Sequence, residues 1–61
     1  MASRKARNLL SGQQIVRPDK SWDRVHGVRH AIDGAPDGQV LVTTDSTRDE
    51  PMDEDALVEI V

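Results

Sequence analysis

The sequence has no cysteine, which excludes disulfides, thiolate metal sites and thiol nucleophiles. It has no phenylalanine and no tyrosine, and its one tryptophan is Trp22. An aromatic-rich core is thereby excluded, and Trp22 is expected to supply a large part of the core that does form. Long apolar runs are missing as well. None exceeds three residues, as in Val40-Leu41-Val42, against the roughly 20 that a membrane-spanning helix needs. The N-terminal MASRKARNLL is basic but lacks the apolar stretch of a signal peptide. These absences predict a soluble, cytoplasmic protein with no membrane partner.

What is present is just enough to fold. The chain has 61 residues, room for one small domain. Domains of that size bury only about 60% of the surface their unfolded chains expose. Leu, Ile and Val account for 14 residues, about 23% of the chain, a little above the roughly 20% below which disorder is expected. Ten of those 14 are Val or Ile, whose branching at Cβ favours a pleated sheet over a helix.

The order of signals along the chain follows that bias. Residues 1–5 are polar and basic and read as a flexible tail. Ala6, Leu9 and Leu10, followed by Gly12, suggest one helical turn. Residues 13–17 form a first strand, stopped by Pro18-Asp19. Residues 22–32 form a long second strand in which Trp22 and Val25 are out of phase by one residue; a β-bulge near His26-Gly27 would restore the register and bend the strand. Residues 33–38 are a Gly/Asp/Pro turn, residues 39–44 a third strand, and residues 56–61 the last strand. The acidic stretch 45–55 is a loop or a short edge segment around Met52. Four to five short strands without long helices predict an all-β fold over residues 6–61, a small barrel closed to remove its open edges.

Charge is divided unevenly. Residues 1–30 hold seven bases and two acids, residues 31–61 one base and nine acids, for a net charge of -3. Such asymmetry marks a nucleic-acid arm or an acidic docking surface, or else two halves that pack with their charges facing each other or water.

One resemblance runs through the chain. The opening Ala6, Leu9, Gly12, Ile15, the valines Val25 and Val28 entering a hairpin at Gly34 and Gly38, the strand Val40, Val42, Thr43, and the acidic Asp53-Glu54-Asp55 before Val58-Glu59-Ile60 resemble a small SH3-like β-barrel module of actinobacteria and their phages. The resemblance implies an SH3-like barrel. It also implies an accessory protein that binds and modulates a host or viral protein, in the host cytoplasm if phage-encoded. The chain departs from the pattern at residues 45–55, which are longer and more acidic than a usual hairpin.

No motif for catalysis or a cofactor emerges. His26 and His30 have a spacing that zinc uses, but no further ligand accompanies them. The acids of residues 45–55 lack the alternating register and central glycine of a calcium loop. Serines, threonines and histidines are present without a pattern that joins nucleophile to base, and Gly34–Gly38 has neither the length nor the Lys-Ser/Thr of a phosphate loop. The expectation is a non-enzymatic protein without cofactors. Its first reading is a protein-interaction module that docks another protein, or a second copy, through Asp49, Glu50, Asp53, Glu54 and Asp55 and the exposed face of the last strand. Its second is a nucleic-acid-binding barrel using Arg4, Lys5, Arg7, Arg17, Lys20 and Arg24, with Trp22 stacked on a base. A third is a structural part of a larger assembly such as a virion.

Overall fold

The computed structural model describes residues 2–61. Six strands form: β1 Ala2–Lys5, β2 Gln14–Val16, β3 Trp22–Arg29, β4 Gln39–Thr44, β5 Glu50–Asp53 and β6 Leu57–Ile60. Short 3₁₀ turns lie at Ala6–Asn8 and Ala31–Asp33. All neighbours pair antiparallel, in the order β1-β6-β2-β3-β4-β5.

This is an open sheet, which corrects the expected closed barrel: β1 and β5 are its two edges and do not pair with each other. The sheet is nevertheless strongly curled. A flat six-stranded sheet would be a slab about 10 Å thick, whereas the molecule measures 29 × 20 × 18 Å. Its radius of gyration is 10.5 Å, the value of about 10.5 Å that compact domains of this length adopt. Curling lets a single sheet bury one face against itself.

The core follows from strand alternation. In β4, Val40, Val42 and Thr44 point inward and are buried, while Gln39, Leu41 and Thr43 are more exposed. Opposite them Ile15 and Val25 are fully buried, and Ala6 and Leu9 close one side. Val28, Met52, Val58 and Ile60 pack against this cluster. At roughly 1.5–3 kcal/mol for each fully buried Val or Ile, the core is thin and leaves little margin.

The bulge lies where the phase of the sequence changes. The β3–β4 register shifts between Val25 and Gly27. Before the shift Asp23 and Val25 face inward, and after it Val28 does. The Ser11 hydroxyl donates to the His26 carbonyl at 2.9 Å, satisfying backbone that the ladder leaves free. The phase reversal also takes His26 and His30 out of step, so their spacing does not put them on one face.

Two further expectations change, and one open alternative is decided. Residues 2–5, read as a flexible tail, are the edge strand β1, with Ala2, Ser3, Arg4 and Lys5 opposite Ile60, Glu59, Val58 and Leu57; Met1 lies outside the described residues. The acidic stretch does contain a strand, β5, whose Met52 sits opposite Val40. Trp22, expected in the core, is 66% exposed. It shares its parity with Arg24, on the solvent side of β3, while Asp23 takes the inward position with Val25. No helix among the described residues is long and apolar enough to cross a membrane.

Candidate functional site

At one end of the curled sheet the inward positions turn polar. Asp23 on β3 and Thr44 on β4 are buried, and Arg17, just past β2, reaches in to meet them. Its Nε and Nη2 donate to Asp23 Oδ2 at 3.1 and 3.0 Å, and Nη2 also donates to the Thr44 and Thr47 hydroxyls at 3.2 and 3.3 Å. Nη1 pairs with Glu50 Oε1 at 3.0 Å. Ser46 donates its hydroxyl to Asp23 Oδ2, and the Arg24 backbone N–H donates to Oδ1 at 3.0 Å. Burial pushes the Asp23 carboxyl up, but the hydroxyls of Ser46 and Thr44 and the Arg17 guanidinium outweigh it and hold the group well below the usual carboxylate range. The network plugs the end of the core. It is also internally satisfied, so it offers little to a ligand.

Most of the acidic candidates are paired within the molecule. Glu50 belongs to the Arg17 network. Asp49 lies 3.7 Å from Arg29, and its backbone N–H donates to the Thr43 hydroxyl at 3.0 Å. Asp55 sits in the turn between β5 and β6, 3.5 Å from Lys5 Nζ and 3.4 Å from Arg7 Nη1. Asp53 accepts the Asp55 backbone N–H at 2.9 Å and caps that turn. Among the described residues Asp53 and Glu54 are in no ion pair. The five acids therefore occupy both ends of β5 and do not converge on one face.

The basic candidates divide in the same way. Lys5 and Arg7 meet Asp55, Arg17 is enclosed, and Arg4 donates to the Asn8 carbonyl at 3.4 Å. His26, opposite Asp45, completes a pattern in which the basic half pairs across the fold with the acidic half. That is the packing alternative the charge asymmetry left open. Lys20 and Arg24 stand apart: both are exposed and, among the described residues, neither is in an ion pair.

These two bases flank Trp22. On the ladder Val16 stands opposite Trp22 and Gln14 opposite Arg24, so all four share the outer face of the β2–β3 hairpin. Val16 is also opposite Glu59 of β6, which extends this face to Leu57, itself 72% exposed. Lys20 adopts φ 73° in the hairpin turn, where Arg17 and Ser21 close the loop by a 2.8 Å backbone bond. The turn is fixed by Asp19, whose Oδ1 accepts from both the backbone and the hydroxyl of Ser21. The result is an apolar row in which Trp22 and Leu57 are exposed and Val16 is half-buried, beside cations that are in no ion pair among the described residues.

A groove of about 360 Å³ adjoins this row, between Val16, Arg17 and Pro18 on one side and Leu57, Val58 and Glu59 on the other. No group of three or more potential metal-ligating side chains occurs among the described residues.

Sequence reasoning named Trp22, Lys20 and Arg24 but set the tryptophan in the core. It missed Asp23 and Val16, and it put the last strand on the contact surface without singling out Leu57. A usable signal was there: counting in twos from Val25 puts Asp23 inside and Trp22 outside. The chain matches no protein-family model, no curated protein and no solved structure.

Proposed function

We propose that the protein is a non-enzymatic interaction module of the SH3-like kind its motifs resemble, and that it docks a protein partner through the outer face of β6, β2 and β3. The observation that carries this is the exposure of Trp22, its only aromatic, in a row with Val16 and Leu57. A domain short of apolar residues that leaves its largest one in water forgoes core stability there. Exposed apolar rows rimmed by polar groups mark interaction sites, and tryptophan is enriched among residues that dominate binding energy. The acidic stretch is a weaker candidate than its composition suggests, since Asp49, Glu50 and Asp55 already have partners.

Interface size supports one face only. A standard interface takes about 800 Å² from each partner, roughly a fifth of this molecule's 4036 Å². Binding a host or viral protein this way, as the phage-like resemblance implies, would block or redirect it.

Nucleic-acid binding is the second reading, favoured by Lys20 and Arg24 on either side of Trp22. Glu59, in the same row, works against it, as does the net charge of -3. The test is capture from a lysate of the source cells on the immobilised chain and on Trp22→Ser, with and without nuclease. A protein retained after nuclease by the unsubstituted chain and lost with Trp22→Ser is the expected result. Retention that nuclease abolishes overturns the reading in favour of nucleic acid, and a partner indifferent to Trp22 overturns the placement of the site.

A further inference from the structure

We infer that the groove where β2 and β6 part receives one aliphatic side chain of an extended, acidic partner segment; this rests on the protein-interaction reading above. The β2–β6 ladder contains only Ile15 opposite Ile60 and Val16 opposite Glu59. Just past β2 comes Arg17, whose guanidinium is drawn inward to Asp23 and Glu50. Pro18 follows and has no N–H with which to continue the ladder. The two strands separate there, and the groove is the space they leave.

Its lining suits an aliphatic side chain, and its volume admits one. The volume of about 360 Å³ is at the small end for ligand sites. Six of the lining residues are apolar, with Met52, Val58 and Ile15 continuous with the core. Glu50, on the wall, is already paired with Arg17, which it shares with Asp23. At the mouth stands Lys20, and on the adjoining face Arg24 and Trp22.

Charge decides which occupant fits. On this face Lys20 and Arg24, in no ion pair among the described residues, outnumber Glu59, so carboxylates flanking the inserted side chain would complete them. A second copy of this chain docked through the same face would bring its own Lys20 and Arg24 there and repel. A nucleic-acid strand offers mainly phosphate acceptors there and no aliphatic side chain for the groove.

The test is selection of a random short-peptide display library on the immobilised full chain, with Lys20→Glu/Arg24→Glu and Leu57→Ser as comparison targets. All three substituted residues are exposed, and circular dichroism checks that each variant keeps its sheet. Enriched sequences should carry Leu, Ile, Val or Met flanked by Asp or Glu. Their affinity should fall about tenfold or more with Leu57→Ser, and should fall with added salt. The charge-reversed variant should select basic flanks instead. Enrichment of neutral or basic sequences by the unsubstituted chain, or indifference to Leu57→Ser, overturns the inference and leaves the protein-interaction reading standing. Failure to enrich any sequence overturns the inference as well. Binding of oligo(dT) in its place overturns the interaction reading with it. A dimer in sedimentation that Leu57→Ser dissolves would assign the groove to a second copy and likewise overturn the inference.

Discussion

Arg17 meets Asp23 through two nitrogens at once, Nε at 3.1 Å and Nη2 at 3.0 Å from the same carboxylate oxygen. The pair sits at the end of a core built from six buried apolar residues. Removing one partner of a buried pair costs about 3–5 kcal/mol. For Asp23→Ala the lower end applies, since Glu50 still holds the guanidinium. Total stability for a chain this size is roughly 3–9 kcal/mol. Urea denaturation should therefore show Asp23→Ala losing a large share of it or failing to fold. A midpoint equal to that of the unsubstituted protein would remove the network from the list of what holds the fold.

The same carboxyl sets an acid limit. Its pKa is depressed in the folded state, because the Ser46 and Thr44 hydroxyls and Arg17 outweigh the effect of burial. Its stabilisation is fully present above the unfolded-state value of about 3.9. It is lost as pH falls from there through the folded-state pKa. Urea midpoints measured from pH 7 to pH 2 should show Asp23→Asn less stable at neutral pH, with the gap narrowing below about pH 4. A gap of constant size across that range would contradict the assignment.

Trp22 gives a spectroscopic check on the face proposed for binding. At 66% exposure its indole is already in water, so its emission should shift little on unfolding. Acrylamide should quench it almost as well in the native state as in urea. Trp22→Ser should change stability within about 0.5 kcal/mol, as surface substitutions do. A blue-shifted native spectrum that moves strongly to the red on denaturation would return Trp22 to the core.

How much of this was legible in the sequence depended on strand phase. The β4 segment alternated cleanly, and its bounds emerge as expected, Gln39–Thr44. The break between Trp22/Val25 and Val28 announced the bulge, and the register does shift between Val25 and Gly27. Choosing which half of β3 faced inward was the difficulty. Hydrophobicity alone draws Trp22 inside, whereas the Arg17 pairing makes Asp23 the better inward residue, and that pairing is a tertiary fact. Polarity likewise made Ala2–Lys5 look like a tail. An edge strand needs only backbone pairing on one side, which composition does not report. The acidic cluster looked convergent because sequence proximity hides that Asp49 and Asp55 lie at opposite ends of β5.

Glycine substitutions separate backbone need from sequence appearance. Gly27 sits at the bulge, yet its φ is not in the left-handed region and an added Cβ meets nothing within 4 Å. Gly27→Ala should therefore stabilise by about 0.4–1 kcal/mol through the unfolded chain. Gly12 has equal space but a φ of +89°, so Gly12→Ala should cost about 1–2 kcal/mol. Urea midpoints moving in opposite directions are the expected outcome. Equal losses would mean that the bulge itself demands glycine.

The edge strand β1 can be tested by removing it. Deleting residues 2–5 takes away the partners of β6, leaving Leu57–Ile60 with one bare edge. It also removes Lys5 from Asp55, an exposed pair worth little by itself. The main loss is backbone pairing along four residues and cover for Val58 and Ile60, which pack against the core. The shortened chain should melt at lower temperature, and its uncovered edge should drive association at high concentration. A dispensable tail would behave otherwise: its removal would leave both the midpoint and the sedimentation behaviour where they were. Hydrogen exchange distinguishes the two without any deletion, since β1 amides bonded to β6 should exchange more slowly than the Asp19 amide in the exposed turn, which donates to no backbone carbonyl among the described residues.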